Sequence, residues 1–326
     1  MFWDQEMEPR VTPLSVARLA ARELLDTESS PSHHTHPRTQ LVPLSANGGI
    51  SAMSALPPKA DIGTQSWNVR FVPETEKQPC AFAPQTMQGG PSMGAKCVIN
   101  GVHVVPMGMA NAFLIEGQDG LTLIDAGFPG KEAAVFQAIS GLGRSPEELK
   151  HLVFTHGHPD HIGSAAAIVR ETRAKTYMHP LDIPLAESGG PFRPMRPAPG
   201  LLGQVLCRLF FDPDERMEPV TIDEPLSDGE ILPIAGGIEV IHTPGHCAGH
   251  VALLWRPGRM LFAGDVCTNL MGLGDPVGFE SLDQGRASQR KLASLTFEAA
   301  GFGHGKPIAH DASAQFRYKW GQKLAA

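Results

Sequence analysis

Residues 156–161 read His-Gly-His-Pro-Asp-His, directly after the apolar run 151–155. Three imidazoles and a carboxylate at the exit of a buried strand make a poor core and a good set of metal ligands. Imidazole with carboxylate suits zinc, and also iron, manganese or nickel. Gly157 and Pro159 interrupt a helix, so the segment is expected as a loop that turns side chains to different sides. Three further residues of ligand type follow: His246 in HTPGHCAGH, Asp265 in LFAGD and His304 in FGHGKP. Each comes after an apolar run and lies beside glycine, as expected where backbone approaches a site closely. A lone histidine at a strand end is usually structural, and His103, His151, His179, His242 and His310 are read that way. His246, Asp265 and His304 differ because they stand in order behind the cluster.

The elements around these residues alternate. CVINGVHVVPMG, AFLIEG and LTLIDAG predict short strands, with a hairpin turn at Gln118-Asp119-Gly120 between the last two. A helix is predicted over 131–142, and Ser145-Pro146-Glu147-Glu148 carries the signature of a helix start. Residues 162–172 predict a helix and 175–179 a strand. An insertion over about 184–216, rich in Pro and Gly, surrounds one apolar helix near 201–211. Strand pairs with turns at Gly236-Gly237 and Pro257-Gly258 come next. A helix from Ser281 to about 299, a strand over 306–309 and a terminal helix close the chain. Hairpins mixed with helices suggest packed sheets with helices outside.

The ordered set resembles the metallo-β-lactamase superfamily over residues 98–308. That resemblance implies an α+β fold, a four-layer αββα sandwich with its site at one edge of two sheets. It implies His156, His158 and His246 on one metal, Asp160, His161 and His304 on the other, and Asp265 bridging them. Asp125 in LIDAG matches a family carboxylate that orients a ligand histidine, and His250 matches a supporting position. Asp265 in place of cysteine brings the chain closer to the glyoxalase II and lactonase side than to antibiotic-hydrolysing zinc β-lactamases. His158 in place of glutamate disfavours the diiron redox branch.

The implied cofactors are two divalent metal ions, zinc expected, with iron or manganese as alternatives. The implied reaction is hydrolysis of an ester, lactone or thioester of a small molecule by a hydroxide shared between the metals, with Asp160 and Asp265 taking part in catalysis. No GxSxG elbow suggests a serine nucleophile. Competing readings are a phosphodiesterase or nuclease of the same fold, a mononuclear-iron persulfide dioxygenase, and a non-catalytic metal-binding protein. The first needs a basic element that is not visible, the second fewer ligands, and the third a damaged site. The insertion, with Arg193, Arg196 and Arg208, suits a cover over a hydrophobic substrate with an arginine for a carboxylate, and equally suits an ordinary packed helix. Residues Met271, Leu273 and Phe279 are candidate pocket formers, and the 201–211 helix is a candidate homodimer contact.

A net charge of −7 offers no broad basic surface for a nucleic acid. No run of about 18 apolar residues predicts a membrane span, and the acidic N-terminus lacks the pattern of a signal peptide. Five cysteines without CxxC spacing are read as reduced thiols, which with the rest predicts a cytoplasmic protein. Residues 1–96 form a separate low-complexity segment expected to be largely disordered, ahead of a hydrolase domain over 97–326. Within that segment lie a short predicted helix over 13–25 and a cluster of His33, His34 and His36, read as a solvated loop. Residues 53–74 resemble a repetitive stretch found at the front of many bacterial reading frames. Met87 and Met93 are therefore alternative starts, and residues 1–92 are in question as part of the mature chain.

Overall fold

The structure, a computed structural model, describes residues 94–321. The 13–25 helix, the His33, His34 and His36 cluster and nearly all of segment 1–96 lie outside the described residues. The chain first lays down an antiparallel meander of β1 (Lys96–Ile99), β2 (Val102–Met107), β3 (Ala110–Gly117) and β4 (Gly120–Ile124). It crosses through α1 (Glu132–Gly141) to β5 (Leu149–Val153), then through α2 (Pro159–Ile162) and α3 (Ala165–Thr172) to β6 (Lys175–Met178). The insertion supplies α4 (Ile183–Ser188), β7 (Arg196–Pro197) and α5 (Leu201–Phe210) before β8 (Glu224–Pro225). Strands β4, β5, β6 and β8 pair in parallel, giving a seven-stranded sheet in the order β1-β2-β3-β4-β5-β6-β8.

A second sheet takes β9 (Ile231–Leu232), β10 (Ile238–His242), β11 (Val251–Trp255) and β12 (Met260–Phe262) as antiparallel neighbours. Then β13 (Gly278–Phe279) pairs with β7, and α6 (Leu282–Ala293) leads to β14 (Ala299–Gly301), which joins β12 in parallel. Helix α7 (Ala312–Trp320) ends the described chain.

Alternation along the strands builds the layers. On β3, Phe113 and Ile115 face the second sheet, packing with Val240, Val251, Leu253 and Phe262. Ala112 and Leu114 face the other way, toward Val135 and Ile139 of α1 and Ile168 of α3. On the far side of the second sheet, Ala252 and Leu261 pack with Leu292 of α6 and Phe316 of α7. The result is the expected αββα sandwich. A strand such as β4, buried along its whole length, reads as a continuous apolar run because both its faces are covered.

Several local expectations are corrected. The helix from Ser281 stops at Ala293, and Ala299–Gly301 is a strand. Ala-Ala-Gly has little strand propensity, but a side chain at Gly301 would meet the Phe113 ring at 2.6 Å, so the small residues answer to packing. The strand expected over 306–309 reduces to the bridge Ala300–Ile308. The capping box at Ser145 forms, with the Ser145 N–H donating to Glu148 Oε2 at 2.8 Å, but it opens only a 3-10 turn. Pro159 begins a helical turn instead of blocking one, because proline at the first helical position loses no hydrogen bond. Cys97 is disulfide-bonded, against the reading of five reduced thiols, while Cys207, Cys247 and Cys267 are free. A bridge needs only two Cβ atoms in range, whatever their sequence spacing. No helix among the described residues is long and apolar enough to cross a membrane.

Candidate metal centre

Strands β10, β12 and β14 run the same way, and their C-terminal ends deliver His246, Asp265 and His304 to one edge of the sandwich. From the first sheet, the ends of β4 and β5 bring Asp125 and His156 to that edge, and α2 adds Asp160 and His161. Backbone bonds lace the two sheets together there: Val251 N–H to Thr155 O at 2.8 Å and Asn111 N–H to Gly303 O at 2.8 Å.

Ligand-type atoms of His156, His158 and His246 lie within 4.8 Å of one another. The same spacing unites Asp160, His161 and His304, and also His156, His161 and Asp265. Asp265 stands between the two foci, with a carboxylate oxygen 3.6 Å from His161 Nε2, 3.7 Å from His246 Nε2 and 3.3 Å from His304 Nε2. His304 Nε2 is also 3.0 Å from Asp160 Oδ2. His158 Nδ1 and His246 Nε2 approach to 3.0 Å.

The far nitrogens explain how the rings are held. His161 Nδ1–H donates to Asp125 Oδ2 at 2.9 Å, His246 Nδ1–H to Gly278 O at 2.9 Å and His304 Nδ1–H to Met109 O at 2.9 Å. His156 Nδ1–H donates to Thr155 Oγ1 at 3.0 Å, and that hydroxyl donates to Asp125 Oδ2 at 2.8 Å. Each bond fixes a tautomer that turns an Nε2 lone pair inward. His156 Nε2, His158 Nε2, His161 Nε2 and Asp265 Oδ1 are buried and make no hydrogen bond among the described residues. Such orphans are costly in a finished core, and a cation among them would satisfy several at once. The imidazole and carboxylate donor set fits divalent metal ions. His250 is different: its Nε2 accepts the Asp265 N–H at 2.9 Å and its Nδ1 faces Thr243 Oγ1 at 2.9 Å, so both nitrogens are used in supporting Asp265.

The electrostatics divide the site. Burial, then the neighbouring imidazoles, push His156 well below the ordinary histidine value; burial with His246 brings His158 down to about 3. For His161 burial also favours the neutral ring, but Asp160, Asp125 and Asp265 outweigh it and raise the group to about 9. Asp265 and Asp160 likewise raise His304 against its burial. Burial would raise the two carboxyls, yet the histidines beside them hold both below the usual range.

Asp125 accepts from Thr155 N–H and Oγ1–H, both at 2.8 Å, as well as from His161. Asp125→Asn should therefore lower affinity for an ion beside His161 by about 10–100-fold while the fold persists. Isothermal titration of metal-free protein checks this, and equal affinities would count against it.

Two residues that sequence reading passed over also serve the site. Thr155 links His156 to Asp125. Asn111 Nδ2 donates to Phe302 O at 3.0 Å and Gly305 O at 2.8 Å, clamping the loop that carries His304. Asparagine at a strand start gives no sequence signal of this kind. Of the proposed pocket formers, Phe279 is buried against α6, whereas Met271 is exposed. The remaining histidines lie outside these three groups: His179 stacks on His242 at 4.3 Å, His103 meets Glu116, and His151 faces Tyr177.

A family model described as the metallo-beta-lactamase superfamily matches residues 105–304. The probable metallo-hydrolase YflN of Bacillus subtilis (strain 168) is 29% identical over 64% of this chain and 85% of its own length. Human metallo-beta-lactamase domain-containing protein 1 is 28% identical over 62% of this chain, which spans 64% of that protein. Among solved structures, a metallo-beta-lactamase family protein from Thermus thermophilus aligns with a TM-score of 0.52 at 24% identity, over 68% of this chain and 79% of its own. A subclass B3 metallo-beta-lactamase of Bradyrhizobium japonicum aligns with a TM-score of 0.52 at 22% identity, covering 68% and 87%. At these identities the structural likeness shows the fold alone.

Proposed function

The chain belongs to the metallo-β-lactamase superfamily, and from that premise we propose that it is a dinuclear metal-dependent hydrolase of a small-molecule ester, lactone or thioester. The observation that carries this reading is the convergence of seven ligand-type side chains in three overlapping groups, with Asp265 reaching His161, His246 and His304 and buried nitrogens left unbonded among them. His156, His158 and His246 would hold one ion, Asp160, His161 and His304 the other, and Asp265 would touch both. Divalent ions bound there supply Lewis acidity toward a carbonyl oxygen and bring the pKa of water from ~15.7 toward ~7.

The chain's own residues do the rest. Asp125 and the Met109 carbonyl keep His161 and His304 turned inward, and His250 fixes the backbone of Asp265. Asp160, partly exposed and held ionised by His161 and His304, is placed to orient a water molecule by accepting a hydrogen bond from it. The rings of Phe192 and Phe211, from the insertion, lie 6.2 and 6.1 Å from that of His158 and give this side of the site an apolar wall. Arg193 is engaged with Asp182 and Glu280, so it is not the free carboxylate clamp that the sequence suggested. A panel of lactones, acyl thioesters and phosphodiesters tests the assignment. Turnover of lactones or thioesters is expected, and phosphodiester cleavage alone would replace it with the nuclease-type reading.

The split in acidity has a measurable consequence. His156 and His158 are already neutral near pH 7, whereas His161, raised to about 9, carries a proton that an incoming ion must displace. Binding at the His161 focus should therefore weaken by about tenfold per pH unit and per displaced proton as pH falls from 8 to 6. His156 and His158, held neutral across that range, should add no such dependence. Zinc titration with proton-release measurement reads this directly, and two steps of equal pH dependence would contradict it.

A further inference from the structure

Asp182 lies in the loop between β6 and α4, wholly buried, and none of the chemistry above uses it. Its Oδ2 accepts the Gly157 N–H at 3.0 Å and the Cys247 S–H at 3.0 Å, and its Oδ1 accepts the Gly249 N–H at 2.9 Å. Arg193 Nη2 donates to the same carboxylate. Gly157 sits between His156 and His158, and Cys247 and Gly249 sit between His246 and His250. One carboxylate thus spans two loops that leave different sheets and carry the three-histidine set between them.

The neighbours are shaped to this group. A Cβ on Gly249 would stand 2.4 Å from Asp182 Oδ1, and one on Gly157 would stand 3.3 Å from Asp182 Cβ. Arg193 extends the network into the insertion: its Nε donates to Glu280 Oε1 at 2.6 Å and its Nη1 to Leu181 O at 2.9 Å. Glu280 Oε2 in turn accepts the Ala248 N–H at 2.8 Å. Phe192, beside Arg193, meets the His158 ring, so the insertion is seated on the histidines by the same contacts. A buried carboxylate with this many donors stays ionised and fixes the geometry of each.

We propose that Asp182 is a positioning residue for the three-histidine set, clamping the Gly157 and Gly249 loops in register, and that Arg193 couples the insertion to that clamp. The inference rests on the reading of His156, His158 and His246 as a metal-binding set. Asparagine at 182 keeps the shape but presents an amide where a backbone N–H or Arg193 now donates.

The test is a cobalt(II) titration of the metal-free full chain, followed by its visible spectrum, for the parent, Asp182→Asn and Arg193→Gln. A His304→Ala chain, altered at a residue that meets Asp160 and Asp265 and none of the three histidines, marks which step belongs to which focus. Asp182→Asn should weaken the three-histidine step by about 10–100-fold and change its spectrum, leaving the other step in place. Arg193→Gln should weaken the same step by about threefold or more, since the backbone donors to Asp182 remain. A lowered melting temperature with unchanged cobalt affinity and spectrum would reduce Asp182 to a structural role and overturn the proposal. Should Asp182→Asn not fold, Arg193→Gln decides: its side chain is partly exposed, and parent-like cobalt binding there defeats the coupling. Failure of the parent to bind cobalt at the histidines would instead overturn the metal reading itself, and this proposal with it.

Discussion

Asp265→Asn should reduce bound metal from two ions to one or none and lower kcat/KM by roughly 10³-fold or more. Asp265 is buried and lies within 3.7 Å of three ligand-type histidines, one from each of three different segments. No other carboxylate among the described residues has that position, since Asp160 reaches His161 and His304 and is half-buried. An amide offers one acceptor oxygen without charge, and its NH₂ would point at nitrogens that must themselves accept a cation. The backbone bond from Asp265 to His250 does not depend on the side chain, so the loop should keep its path. Elemental analysis and steady-state kinetics check the outcome. Retention of two ions with activity within about tenfold of the parent would remove Asp265 from the shared position.

Gly303→Ala should be nearly as damaging, although glycine carries no functional group. A Cβ there would fall 2.2 Å from Asp265 Oδ1 and 2.5 Å from His161 Cε1, contacts no side chain can make without displacing one of them. Both neighbours are fixed, His161 by Asp125 and Asp265 by its place in the buried cluster. The expected cost is about 1–3 kcal/mol of stability from overpacking, together with loss of an ion and roughly a 10²-fold fall in kcat/KM. Gly141→Ala is the matched control: nothing lies within 4 Å of its added methyl group, so its metal content should match the parent and its melting temperature should hold or rise slightly, as for any glycine replaced by alanine in a helix. Parent-like metal content in Gly303→Ala would mean that the His161 and Asp265 geometry is not needed for binding.

Much of this architecture was legible because burial writes itself into sequence. The runs at β2, β3 and β4 are largely apolar because sheets or helices cover both faces, and the segment from His156 to His161 stood out because such residues have no place in a core. What escaped depends on contacts between distant segments. Strand β14 is Ala-Ala-Gly, chosen by the space beneath Phe113 and not by strand propensity. Asp182, two residues before a proline, looks like a helix cap, yet it makes no capping bond and spends its oxygens on loops 25 and 67 residues away. Asn111 reaches across 191 residues to the carbonyl of Phe302. The Phe279 ring packs over Gly285 because a glycine on α6 leaves room for it. Pairings of this kind have no local pattern to betray them.

Two metal ions around Asp265 are what these side chains are proposed to hold. Elemental analysis of the purified full chain, with metal-free protein reloaded by zinc as a second sample, tests this most directly. About two ions per chain in the reloaded protein, falling to one or none in Asp265→Asn, is the result expected from a shared site. A chain that takes up no metal in either sample, while remaining folded, would contradict the account at its root.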